Sequence, residues 1–511
     1  MDEAGDHGPS AEQTDHTDNT QTESPSSWQS FPAELRLKIL GLISAERYRG
    51  WSAHAAVCKE WQAFIEAKNF RHITLQSLCL QDLPHMIHNR THLVEKIWLN
   101  VHLRRYSCRC CQDEDRTFPV WSSEAMGSEN SLLINRDILR LFRALSTWTN
   151  TSKLTLELSA CSPSDLDAFV QYPRYRDYQE MPPSYREPAT PWHSPYHCCV
   201  YRRMDMVPCS LGIFRIFSVY TLHNVHLIPR VPAVTKLVIR RQFRRQISPL
   251  ALQTLWQRLP SLESIVYEPW RPGHRELKIV REKRLISALS EEFPSHIRKL
   301  SIFENVNDGL TAQLQASREF MDLARFNPDA DTSLVEAFAS RSCDLEHMSI
   351  AYMIDAKAFF SSCLPSYTWP NLRTLALTAA ILTQEDAKDQ IYELLRDASV
   401  VALRMPQLAH MVLWHGVKGA ASAVIYHKKK QWKQASLTWR STWDLHLNDT
   451  IVSSWQEVTP DYCQLQIKKE LVQGTIKSCG DAIHKLGLSH GIIHPASLRE
   501  MRHEGHMGFK I

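Results

Sequence analysis

Glycine is scarce in this chain: 16 of 511 residues, about 3% against a usual ~7%. Folds that lean on glycine-rich phosphate loops start at a disadvantage, and no Walker, Rossmann or EF-hand pattern is found. No stretch of 18 or more uncharged apolar residues exists, so a membrane-spanning helix is not expected. The N-terminus lacks the basic, apolar, small-residue order of a secretory signal. The 13 Cys follow no regular framework. Without an export signal they read as reduced thiols of a cytoplasmic or nuclear protein, and no cofactor is expected.

What is present resembles ordinary soluble globular material, 43% hydrophobic and 22% charged. The length suggests roughly three domains' worth of chain at about 150 residues each. The net charge of +4 hides an asymmetry. Residues 1–27 carry Asp2, Glu3, Asp6, Glu12, Asp15, Asp18 and Glu23 with no Lys or Arg. So polar a segment buries too little apolar surface to offset its ordering entropy, and a disordered acidic tail is expected there. The remainder is only mildly basic, which implies neither nucleic acid nor membrane as partner.

From Trp28 to about residue 70 the sequence predicts three short helices. Pro32 suits a first helical position and Glu34 favours the first turn. Leu35, Ile39, Leu42 and Ile43 form one apolar stripe, with Leu37 and Leu40 on a second face. Val57, Trp61, Phe64 and Ile65 repeat the same offsets. A unit this small is marginal alone and should need a neighbour on its apolar faces.

Beyond residue 70 one pattern recurs: apolar, two spacers, apolar, one spacer, apolar. Leu372, Leu375, Leu377, Ala380 and Leu382 fit it best. Phe70, Ile73, Leu75, Leu78 and Leu80 fit it too, as do Ile297, Leu300, Ile302 and Asn305. Further copies centre on Ile97, Leu156, Leu237, Ile265, Met348 and Met411, with Leu437 weaker. The template is that of a leucine-rich repeat. Segments such as 250–259 and 387–399 look helical between copies. The fold class expected is therefore α/β: a three-helix unit at 28–70, then an irregular leucine-rich-repeat-like solenoid over 71–511, a curved parallel sheet with outer helices. A single strand-helix unit cannot bury its own edge, so such units stack. The two long gaps, after Ile97 and after Leu156, must contain insertions. A Tyr/Pro-rich stretch near 171–208 reads as a loop.

The run from Phe31 to Glu66 resembles an F-box. Phe31-Pro32 opens it, Glu34 and Ile39 follow, and Val57-Cys58-Lys59-Glu60-Trp61 matches V-C-x-x-W. Phe31 replaces the usual Leu, and Ser52-Ala53 stands where Asp-Leu is usual. More diffusely, the whole chain is similar to F-box proteins of filamentous fungi, through Ile97-Trp98-Leu99-Asn100, the Arg104 to Cys111 element and Gly480-Asp481-Ala482-Ile483. The resemblance implies a non-catalytic receptor subunit of an SCF-type ubiquitin ligase. Phe31, Pro32, Leu35, Ile39, Val57 and Trp61 would bind a Skp-type adaptor and, through it, a cullin, while the repeat region would take an unknown protein substrate. Internal packing of the three helices is the plain alternative for these side chains, in part for Trp61 above all. A scaffold working outside the ligase is the alternative function.

Catalytic and metal motifs are weak. Gly487-Leu488-Ser489-His490-Gly491 fits G-x-S-x-G, but that motif needs a strand before it and an acid and His after it. Residues 483–486 look helical, so a hydrolase using Ser489 is the remotest reading. Cys108, Cys110 and Cys111, and His197, Cys198 and Cys199, form two clusters. Cys108 and Cys111 make one good zinc-type pair, but the second cluster is distant, so reduced loop thiols are expected. His503-Glu504-Gly505-His506 is one residue short of H-E-x-x-H. Two basic clusters, Arg240 to Arg245 and Lys428 to Lys430, read as solvated faces, with an acidic or phosphorylated partner as their functional reading.

Overall fold

The computed structural model describes residues 28–45, 50–104, 123–148, 153–162, 218–271, 275–291, 293–305, 331–429, 434–460 and 463–507. The acidic tail, the Tyr/Pro-rich stretch and both cysteine clusters lie outside them. The chain divides after Asn69 into two units.

The first unit holds α1 (Ala33–Ala45), a 3-10 turn (Trp51–Ala56) and α2 (Lys59–Phe70). Gly50, at φ 97°, makes the left-handed entry to the turn, a backbone state that costs glycine nothing. Leu40, Trp51 and Ile65 are buried.

The second unit is mixed α/β, built on one large, mostly parallel sheet. Its strands are β1 (His72–Gln76), β2 (Lys96–His102), β3 (Leu154–Cys161), β5 (Val234–Ile239), β7 (Ser264–Tyr267), β8 (Lys299–Phe303), β9 (His347–Ala351), β10 (Thr374–Thr378), β11 (His410–Val417), β12 (Ala420–Lys429), β13 (Gln434–Ser441) and β14 (Gln464–Leu471). They lie side by side in chain order. A separate pair joins β4 (Val219–Tyr220) to β6 (Gln246–Ile247). The register carries one apolar residue across every strand: Ile73, Ile97, Leu156, Leu237, Ile265 and Leu300, then Met348, Leu375, Met411, Tyr426, Leu437 and Ile467. The repeat centres legible in the sequence all lie on this row.

One strand departs from the parallel sheet that the pattern predicts. β12 runs antiparallel to both β11 and β13. The physical cause is the two-residue link Lys418-Gly419, with Gly419 at φ 94°. A link so short can only fold back as a hairpin, since a parallel partner needs a long crossover. Leu78 is a second departure: at 87% exposed it does not fill the core position that the template gives it.

Helices cover one face of the sheet. They include α4 (Ser123–Leu145), α5 (Pro249–Arg258), α6 (Arg275–Ser290), α7 (Thr332–Ser342), α8 (Ala356–Ser361), α9 (Lys388–Ala402) and α10 (Asp449–Val458), after the single-turn α3 (Leu83–Met86). From α5 to α10 each helix packs on the next. Side-chain caps begin several of them: Ser248 for α5, Asp331 for α7, Asp355 for α8 and Asn448 for α10. The opposite face is covered from β8 to β12 by the last segment: α11 (Cys479–Lys485), α12 (Ser489–Ile492) and α13 (Pro495–Met507). Two apolar cores result, one on each side of the sheet.

Candidate functional site

Two places hold the residues of interest, one on each unit. On the first unit, helical periodicity turns Leu35, Ile39 and Leu42 away from the inward Leu40. Leu35 is 47% exposed, Leu42 66% and Val57 60%, and Leu37 is exposed on the flank. Of the six residues singled out in the sequence, Leu35, Pro32 and Val57 are exposed, whereas Phe31, Ile39 and Trp61 are half-buried. Trp61 packs internally, 5.4 Å from the Trp28 ring and 6.0 Å from His54. Glu60 accepts from Trp28 Nε1 at 2.8 Å and from Arg36 Nε at 3.0 Å. Those two hydrogen bonds, Trp28 first, hold its carboxyl below the ordinary range. Arg36 also donates to the Phe31 carbonyl at 2.7 Å. This clamp fixes the start of α1 against α2 and leaves the leucine stripe outside. Trp28 and Arg36 escaped sequence reasoning because a tryptophan in a polar lead-in carries no periodicity.

On the second unit, charged side chains gather in the middle of β3 and just after β5, β7 and β8, against α13. The basic run at 240–245 corrects the expectation of a solvated face: Arg240, Arg241 and Arg245 are buried, Arg241 to 1% exposed. Lys428, from the second run, is buried as well. Arg240 pairs with Glu157, which also holds Lys96 at 2.5 Å, and lies over the Trp98 ring. Arg241 donates to Asn305 Oδ1 at 3.0 Å, lies 4.6 Å from the Trp270 centroid, and comes within 3.6 Å of Glu500. Arg271 and Arg281 converge on Glu304. Burial pushes the Glu304 carboxyl up, but the two guanidinium groups outweigh it and hold it below its ordinary value. Arginine suits such positions because its fork satisfies several acceptors while fully buried. The arginines stand immediately after strands, where a sequence shows only a charge run.

Glu268 ties this cluster to the last helix. Its Oε1 accepts from His494 N at 2.7 Å, and its Oε2 from Ser497 Oγ at 2.5 Å and Arg241 N at 3.1 Å. It therefore caps the start of α13 from a strand end more than 220 residues earlier. Burial nevertheless pushes its pKa up against those donors. At the other end Gln242 Nε2 donates to Glu500 at 2.6 Å. Every one of these groups is turned to another group of the protein, so the arrangement fastens the last helix to the sheet.

The remaining motifs fall into place around it. Ser489 opens a four-residue helix that follows another helix, not a strand, so the setting of a nucleophile elbow is not met. Gly480 packs on α13, where an added Cβ would stand 2.8 Å from the Arg502 nitrogen. Asp481 accepts from Lys477 N, and its own N–H is capped by Ser478. Ala482 and Ile483 are buried. The Gly-Asp-Ala-Ile stretch is thus a helix start pressed against its neighbour. Among the described residues no cluster of three His, Cys, Asp or Glu could hold a metal ion, and no helix is long and apolar enough to cross a membrane.

Residues 292–494, from just before β8 to the start of α13, match a family of unknown function (DUF6546). That span is less than half of the chain. No curated protein matches it.

Proposed function

We propose that this protein is a non-catalytic substrate receptor of an SCF-type, cullin-based ubiquitin ligase, its first unit an F-box bound to a Skp-type adaptor and its second an irregular leucine-rich-repeat-like solenoid that presents a surface to a protein target. The observation that carries the reading is the coincidence of motif and exposure. The run that resembles an F-box is also where Leu35, Leu37, Leu42 and Val57 stand uncovered. Burying the exposed half of one such side chain contributes about 1 kcal/mol. Four together supply several kcal/mol, and interfaces are usually anchored by a few side chains of this kind. The chain-order sheet, with one helix after another on a single face, supports the repeat reading.

The test is co-purification of the full chain with a Skp-type adaptor and cullin. Wild type is expected to retain both, and Ile39→Asp combined with Trp61→Ala to retain neither. Because those two side chains also pack internally, Leu35→Asp with Val57→Asp serves as the partner variant that should fold normally and still lose the adaptor. A wild type that retains no adaptor contradicts the reading. Adaptor without cullin points instead to a scaffold outside the ligase.

A further inference from the structure

One register row lies beside the apolar row described above and faces the opposite way, toward the side that carries α11 to α13. It begins with the first residue of β1 and runs through all twelve strands. It contains Lys96, Lys236 and Lys299, then His347, His410 and His427. The positions between them on β3, β7 and β10 are the hydroxyl residues Thr155, Ser264 and Thr374. No strand contributes a carboxylate to this row. His72, at the start of the row, and Lys299 are exposed, and the other five cations and imidazoles are half-buried.

On the same face Glu157 stands two positions along β3, and Lys96 and Arg240 already hold it, while Glu95, Glu263 and Glu346 each stand one residue before the row. Lys236 and Lys299 make no ion pair with any described residue. Burial, and after it the charges of Lys96 and Lys299, lower the Lys236 pKa, while Glu157 opposes them. Lys96, Lys236 and Lys299 are therefore like charges that repel one another. Two described residues of the last segment stand beside the row: Gly491 offers its carbonyl to Ser301 at 3.3 Å and lies against His347, and His494 sits near Lys96, Lys236 and Arg240.

We propose that the lysine part of this row, Lys236 and Lys299 with the hydroxyls beside them, binds an extended, Asp/Glu-rich peptide segment running across the strands. The row is one residue wide, which fits a single extended chain. A nucleic-acid strand would want exposed aromatic rings to stack on, and Trp98, two positions along β2, is buried. The lysines stand on alternate strands, about 10 Å apart at a strand spacing of ~4.8 Å. A polyproline-type chain rises ~3.1 Å per residue and turns every three, so acids at every third position recur at about 9 Å and match the spacing from Lys236 to Lys299. The hydroxyls between them can hydrogen-bond the carbonyls of that chain. As the target-binding surface, this inference rests on the receptor reading; as a binding site it stands by itself.

The experiment is fluorescence anisotropy of the full-length protein with four labelled probes of equal length. These are a peptide with Glu at every third position, its Gln counterpart, the same composition with the Glu residues clustered, and oligouridylate. The spaced Glu peptide is expected to bind at least tenfold tighter than each of the others. Lys236→Gln with Lys299→Gln should weaken it at least tenfold, with unchanged thermal unfolding and unchanged adaptor retention. Equal binding by the double variant, or preference for the clustered peptide or the uridylate, overturns the proposal. Peptide binding in a protein that retains no adaptor would leave the row intact and remove the receptor reading, and the reverse result would do the opposite.

Discussion

Glu268 shows how much one buried carboxylate can organise. It receives the first turn of α13 through His494 N and Ser497 Oγ, and the β5 end through Arg241 N. Replacing it by Ala leaves those donors buried without acceptors, which costs roughly 1–3 kcal/mol for each hydrogen bond stranded. We expect Glu268→Ala to release residues 489–507, read as fast hydrogen exchange there while β1 to β3 keep their protection. Histidine burial adds a pH dependence. Burial, with His427 and His347 adding to it, holds His410 at about 4; burial and then Arg271 hold His415 at about 4; burial and then Arg240, Lys96 and Lys236 hold His494 at about 2. Each takes up its proton in the unfolded chain near 6.5 but not in the folded one. Stability is thus complete above about pH 6.5 and falls as the pH drops toward 4, by about 3 kcal/mol for each of His410 and His415. Denaturant midpoints measured from pH 7 to pH 4 should fall steadily; flat midpoints would contradict the burial of these rings.

At the scale of elements, the repeats were legible because parallel strands buried on one face leave an apolar residue at a fixed offset. Leu156, Leu237, Ile265, Met348 and Met411 mark the strands they occupy, and Asn305 fits the template as a buried amide bonded to the Glu268, Pro269 and Phe303 carbonyls. β12 escaped because its reversal depends on two link residues, and Lys418-Gly419 carries little signal beside nine strands that fit the pattern. The buried arginines escaped for a related reason: a charge run looks solvated until the acids that neutralise it, Glu157, Glu268 and Glu500, are brought in from distant elements. Glycine distinguishes the elements as well. Gly41, inside α1, has open space where a Cβ would be, so Gly41→Ala should stabilise that helix by about 0.5–1 kcal/mol. Gly480, pressed against the α13 backbone, cannot take a Cβ without movement. Gly480→Ala should loosen α11 from α13 and lower the melting temperature, and an unchanged temperature would count against that packing.

At the scale of the whole molecule, a small unit shows its leucines and a large one hides its charges. The polar cluster around Glu157, Glu268 and Glu304 is turned inward and bonded to itself, and Ser489 opens a short helix that follows another helix. Under the proposed function two surfaces serve binding, an apolar stripe on α1 with Val57 nearby and a carboxylate-free line of lysines and histidines along the sheet. The first of these is the claim on which the ligase assignment stands. Titration calorimetry of the full-length protein against a purified Skp-type adaptor tests it most directly. The account predicts a one-to-one complex with a negative heat-capacity change, as burial of apolar surface requires, weakened at least tenfold by Leu42→Asp alone. No heat from the wild type, or equal affinity in the variant, would contradict it.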